Sequence, residues 1–401
     1  MQTEMKINDA LFLLTLVVFV SGCSSVDQSK EGLPCIDVRK KYPEKEIILT
    51  DIADVEYVHL STAYDEYLYK GFIGDITENT IVVGDDSSGS VLFFSRDGKP
   101  KSRFNRKGAG PEEYPAFLKP SIVYDETADD VYILINNGRN IFVYSSTGKY
   151  KRKLPLSADV SSLVDFDDHS LFVYDTQLIE KRQMKEGYTS SQALDSSFMR
   201  ISKEDGRVLD FALIPYSDVD LTFRSRSETF FNAGIWNFNR IRKGTSGVYL
   251  CNPESDTIFH YSKDKTITPV ICKTPLASNL DPKIVFYGFT DIGRYQFMSD
   301  FTIVNPLKRR DNYPNSNHYG YDKHTGEIFS PKIILPDYKG KYFFLSNTVV
   351  VGEKMLVYIN MNLYSLKQAY KENRLNGQLK ALVATLNEDF DNEVYVFATI
   401  K

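Results

Sequence analysis

One phrase recurs along the chain and restricts what it can fold into: an apolar strand, a small polar loop, a second strand, a tight turn and a third strand. Its clearest copy is residues 81–114, IVVGDDSSGSVLFFSRDGKPKSRFNRKGAGPEEY. Ile81–Val83 and Val91–Ser95 read as strands around the polar loop Asp85–Gly89. Asp97-Gly98 is the pair a tight turn needs, because glycine takes positive φ without a Cβ clash, and Lys101–Asn105 follows as a strand. The phrase returns at Val131–Leu154 with Thr147-Gly148, at Ser170–Ile214 with Asp205-Gly206, and at Gly247–Cys272 with a Lys263–Lys265 turn. Phe297–Ile334 with Thr325-Gly326 is a looser copy, and Lys354–Asn360 belongs to a sixth. The turn positions Gly98, Gly148, Gly206, Asp264 and Gly326 stand from 50 (Gly98 to Gly148) to 62 (Asp264 to Gly326) residues apart.

One such unit cannot bury its own apolar faces. A period near about 50 residues with four strands per unit is the signature of a propeller, whose blades stand in a ring and cover one another. An antiparallel sandwich is the competing fold, but it needs no regular turn spacing and six units exceed its usual strand count. The expected fold is therefore all-β, a six-bladed β-propeller over residues 46–401 with a short C-terminal helical insertion. That insertion is Leu363–Leu386, where Leu363, Leu366 and Tyr370, then Leu379, Leu382, Val383 and Leu386, fall at helical spacing with Gly377 as a break. Glu393–Ile400 reads as a last strand. Its natural place is beside the N-terminal strands Glu46–Leu49 and Val55–Leu60, so that the two chain ends close the ring.

The N-terminus is of another kind. Leu11–Val20 is an apolar run half the length of the roughly 20 residues that span a bilayer, and suits a signal-peptide core. Val20-Ser21-Gly22-Cys23 follows and resembles the bacterial lipobox, whose cysteine is lipidated and becomes the mature N-terminus. The expectation is a lipoprotein signal peptide over 1–22 and a lipidated Cys23 with a tether over 23–45; the alternative is an ordinary secretory signal. Ser24 and Ser25, with no aspartate, imply by resemblance to Gram-negative lipoproteins an outer-membrane anchor, on the periplasmic or the cell-surface face.

A net charge of -5 argues against nucleic acid as a partner. Tyr 26 and Phe 26 against one Trp suit pleated, half-buried surfaces. Beyond Cys23, the odd set Cys35, Cys251 and Cys272 is not a disulfide framework. Cys251 and Cys272, on the second and fourth strands of one sheet, would lie about 9–10 Å apart. A bridge needs Cα atoms within about 7 Å, so both are expected as buried free thiols.

Motifs for chemistry are sparse. No Gly-x-Ser-x-Gly elbow or phosphate-binding glycine loop occurs, and His59, His169, His260, His318 and His324 lack metal-ligand spacing, so no metal or cofactor is expected. In RKGAGPEEY, Gly108, Gly110 and Pro111 define a path for Arg106, Lys107, Glu112 and Glu113. These four either contact a ligand at the mouth of the ring or serve a blade-to-blade connector. Phe223–Lys243 carries Arg224, Arg226, Trp236, Asn237, Asn239 and Arg240, one large aromatic with planar donors, a set that suits sugar or carboxylate recognition or else a bridging strand with Trp236 in the core. Asn305–Tyr321 is a long polar loop of the kind that carries function.

The repeated units, the segment RKGAGPEEY and the C-terminal helix followed by Asp391–Val396 (DNEVYV) resemble the six-bladed β-propeller lipoprotein family of gut-type Gram-negative anaerobes, related in shape to NHL and TolB-like propellers. The likeness covers roughly Ile47–Lys401 and implies the fold; the family's activity is mostly unassigned. The expected function is a non-catalytic cell-envelope binding module that holds a glycan, peptide or protein partner through the propeller mouth and loops. The alternatives are a propeller-type polysaccharide lyase or hydrolase with a site assembled from several blades, and a scaffold with an exposed apolar patch.

Overall fold

In the strand Thr80–Asp85 every side chain is buried, whereas in Pro100–Asn105 burial follows the pleat, with only Phe104 fully covered. A strand near the middle of a sheet enclosed on both faces must be apolar throughout, and an outer strand need be so on one side only. The computed structural model describes residues 32–401 except 63–64, 116–119, 136–137, 179–192, 218, 227–230, 236–237 and 304–315. The signal peptide, Cys23, Trp236, Asn237 and most of the loop 305–321 lie outside the described residues.

Six antiparallel sheets follow one another. Blade 1 is Gly71–Ile76, Thr80–Asp85, Ser90–Ser95 and Pro100–Asn105. Blade 2 is Ser121–Asp125, Asp130–Leu134, Gly138–Tyr144 and the first part of the long strand Tyr150–Asp167. The second part of that strand opens blade 3, with Ser170–Asp175, Ala193–Ser202 and Val208–Tyr216. Blade 4 is Ile241–Gly244, Gly247–Leu250, Thr257–Ser262 and Ile267–Thr274, and blade 5 is Lys283–Ile292, Tyr295–Ile303, His318–Asp322 and Ile328–Ile334. Blade 6 combines Asn347–Val351, Lys354–Met361 and Val394–Ile400 with the N-terminal strand Ala53–His59, which closes the ring as expected.

The buried apolar residues fall into six clusters, one between each pair of neighbouring blades. Period-two alternation makes this partition. Ile81 and Val83 pack toward blade 6 while Val82 packs toward blade 2; Val131 and Ile133 face blade 1 while Tyr132 and Leu134 face blade 3. Six interfaces for six blades require a closed ring.

Four of the five outer turns place glycine at positive φ: Gly98 (84°), Gly148 (81°), Gly206 (77°) and Gly326 (73°). At Gly98 a Cβ would strike the His59 carbonyl. In blade 4 the left-handed residue is Lys265 (69°), one position after Asp264, which had been the expected equivalent. Its N–H donates to the Ser262 carbonyl as that of Gly98 does to Ser95.

Two expectations are corrected. Cys272 is not a free thiol: it bridges Cys35, with Cα atoms 4.4 Å apart, and of the pair only Cys251 is free and buried. The partner lies outside the four-stranded sheet, on Cys35–Asp37, which adds in parallel to the outer edge of blade 4. The strand Glu44–Ile48 likewise does not help to close the ring but pairs in parallel with Ile328–Ile334 at the outer edge of blade 5. Strand structure thus begins inside the stretch 23–45 read as a tether. The C-terminal insertion is two helices, Leu363–Lys371, capped by the Asn362 side chain on the Ser365 N–H (3.0 Å), and Gly377–Thr385, which Gly377 opens at φ 50°. Leu363, Leu366, Ala369, Leu379 and Val383 bury against the blade 5–blade 6 cluster.

Candidate functional site

The first strands of blades 1, 2, 3, 4 and 6 touch in succession and enclose the axis, and that of blade 5 packs against the blade 4 strand. Two cavities lie along this axis, of about 440 Å³ and about 270 Å³, and Asp75, Asp165 and Lys243 line both. The larger opens among the first turns of the blades, with Glu78, Glu126, Asp167, Asp168 and Lys263 around it.

A half-buried ion network holds its wall. Lys243 of blade 4 donates to Asp165 of blade 3 at 3.1 Å. Lys203, from the outer turn of blade 3, meets Asp165 at 2.9 Å and Asp125 of blade 2 at 2.9 Å. Burial pushes the Asp165 carboxyl up, but Lys243 and Lys203 outweigh it and hold it below the usual range. Burial pulls the Lys203 ammonium down, and Asp165 and Asp125 more than restore it.

Asp75 differs. It faces the cavity yet is surrounded by protein, and it accepts hydrogen bonds from the backbone N–H groups of Ile76 (2.8 Å) and Tyr124 (2.9 Å). Burial pushes its carboxyl up to about 6, against the smaller pull of Lys243. A carboxyl raised in this way binds more protons folded than unfolded between 3.8 and about 6. Its contribution to stability is therefore full at the acid end, falls as pH rises through that window, and is flat above it. Relative to the wild type, Asp75→Asn should gain on the order of 2–3 kcal/mol between pH 4 and pH 7, at about 1.4 kcal/mol per pKa unit. Denaturant titrations of both proteins at each pH check this, and parallel curves would refute it.

The expected site residues are placed elsewhere. Arg106–Tyr114 is the connector from blade 1 to blade 2: the Arg106 Nε donates to the Gly148 carbonyl (2.7 Å), Lys107 bridges to Tyr114, the Tyr144 hydroxyl donates to the Glu112 carbonyl (2.8 Å), and Glu113 accepts from the Gly110 N–H (2.8 Å). None of the four lines the axial cavities. Arg224 and Arg226 lie on a separate hairpin, Thr222–Arg226 with Phe231–Ile235, with side chains outside the described residues. Arg240 is buried, its guanidinium 4.6 Å over the Tyr174 ring, and also lines neither cavity. Of the stretch Phe223–Lys243, Asn239, one of the residues singled out in the sequence, lines the smaller cavity together with Ile241, Arg242 and Lys243. The axial residues Asp75, Asp165, Lys203, Arg242 and Lys243 were missed. No histidine lines either cavity, and among the described residues no group of three His, Cys, Asp or Glu is placed to hold a metal ion.

Residues 26–210 match the model of a family described as a 6-bladed beta-propeller. Among solved structures, a candidate exported protein from Bacteroides fragilis is 16% identical with a TM-score of 0.58 over 90% of this chain and 99% of that one. BamB from Moraxella catarrhalis is 10% identical with a TM-score of 0.37, over 87% and 98%. No curated protein matches the sequence. The six sheets, the closed ring of interfaces and the family match agree: the chain is a six-bladed β-propeller of the kind that family describes.

Proposed function

We propose that the protein is a cell-envelope lipoprotein, held at the outer membrane through Cys23, that binds a polar ligand (a glycan, a peptide or a segment of a partner protein) at the mouth of its axial cavity. The observation that carries the reading is the convergence of charged side chains from separate blades on one cavity of about 440 Å³. Such a concave site on a rigid frame is where a ligand is held. The lipobox-like segment and the candidate export of the Bacteroides fragilis fold relative support the location. Asp165 is engaged by two lysines and Asp75 by two backbone amides, an arrangement that supports recognition.

The test is binding of the full chain, in detergent, to glycan and peptide arrays, beside a variant carrying Glu78→Arg and Asp168→Arg. These reverse charge at two exposed positions around the cavity and leave the Asp165–Lys243–Lys203 network intact. One ligand class should bind, with an affinity that the reversal changes at least tenfold. A blank array, or binding indifferent to the reversal, would sink the reading.

A further inference from the structure

The axial cavity of about 270 Å³ contains a cation without a partner among the described residues. Arg242, on the first strand of blade 4, lines it together with Ser121, Asn239, Asn347, Thr348 and Tyr358, all able to hydrogen-bond. The other charges there are engaged, Lys243 by Asp165 and Asp75 by two backbone N–H groups. Among the described residues the Arg242 guanidinium makes no hydrogen bond or ion pair, and its Nε is buried with nothing to donate to. Burial holds the guanidinium below its usual pKa, and the groups that oppose this are the Cys251 thiol and the Tyr358 and Tyr287 hydroxyls rather than a carboxylate.

A half-buried charge without a partner is destabilising, and an apolar side chain of similar length would remove the penalty. A guanidinium is also a planar fork of donors that matches a carboxylate with two parallel hydrogen bonds. We infer that the Arg242 end of the axial cavity receives the carboxylate of the ligand, with the surrounding hydroxyl and amide side chains fixing the atoms next to it. The inference rests on the axial-binding reading above and names the group that the second cavity receives. Two sources share this chemistry, a uronic-acid unit of a glycan and the C-terminus of a peptide.

The experiment is thermal unfolding and calorimetric titration of the full chain in detergent, wild type and Arg242→Met. The probes are galacturonic acid against galactose, and N-acetyl-trialanine against its C-terminal amide, at matched ionic strength. One carboxylate probe should bind the wild type at least tenfold more tightly than its neutral counterpart and raise the unfolding midpoint. Arg242→Met should lose that preference while its own ligand-free midpoint rises by a few degrees, because the unpaired charge is gone. A response to the uronate names the glycan source and a response to the free peptide names the peptide source; either supports the inference. It is overturned if neither carboxylate is preferred, if Arg242→Met keeps the preference, or if the ligand-free variant unfolds below the wild type. An array ligand that binds Arg242→Met as it binds the wild type would leave the axial-binding reading standing and remove this one.

Discussion

Deletion of Val394–Lys401 abolishes cooperative unfolding and leaves the chain insoluble. This strand is the middle of the closing blade: it pairs with Lys354–Met361 on one side and, in seven register positions from Val394↔His59 to Ile400↔Ala53, with the N-terminal strand on the other. Val394, Tyr395, Val396, Phe397 and Ala398 are at most 1% exposed. Val394, Val396 and Ala398 point into the blade 5–blade 6 core and Tyr395 and Phe397 into the blade 6–blade 1 core. At about 1.5–3 kcal/mol for each large side chain, the lost burial is of order 10 kcal/mol, as large as the whole stability of an ordinary domain. The loss also leaves Ala53–His59 unpaired. Circular dichroism and denaturant titration of the truncated chain check this. A truncated chain that keeps a sharp transition near the wild-type midpoint would show that the ring does not depend on its closure.

Cys35→Ser and Cys272→Ser each lower the unfolding free energy by about 3–5 kcal/mol, and the double substitution lowers it no further. The bond closes a segment of 237 residues, and chain-entropy reasoning gives a loop of that length about 5 kcal/mol. It also staples the three-residue strand Cys35–Asp37, whose pairing with Cys272–Thr274 is too short to persist alone. Cys251→Ser, at the buried free thiol, should cost about 1 kcal/mol with or without reductant, and the variant should lose as much as the wild type when the Cys35–Cys272 bond is reduced. Guanidinium titrations with and without reductant separate these cases. Additive losses in the double variant would mean that the two cysteines act independently.

What could be read in the sequence followed from local rules. The turns at Gly98, Gly148, Gly206 and Gly326 were legible because a left-handed residue is conspicuous as glycine; the blade 4 turn was misplaced by one position because Lys265 fills that conformation. The two C-terminal helices and the closing strand were legible from their periodicity and from Gly377. Cys35–Asp37 was not, since three residues carry no alternation and their partner strand lies more than two hundred residues away. The axial site was hidden for the same reason: Asp75, Asp165 and Arg242 come from three blades and meet only when the ring forms. A signal was nevertheless present. FIGDI, SLVDFD and IRKG each set a charge inside the first strand of a blade, and a strand enclosed on both faces can place a charge only toward the axis. RKGAGPEEY drew attention through its glycines and charges, which turn out to make the connector's own hydrogen bonds.

The N-terminal stretch crosses the outer edges of blades 4 and 5 before it reaches blade 6. A pull from the residues before Cys35 therefore meets a covalent bond first and passes its load into blade 4 through Cys272. The parallel pairing of Glu44–Ile48 with Ser330–Ile334 stands as a second brake behind it. Ala53–His59, held only by hydrogen bonds and packing, comes after both along the chain. Under the anchoring proposed through Cys23, the seam of the ring would lie behind both.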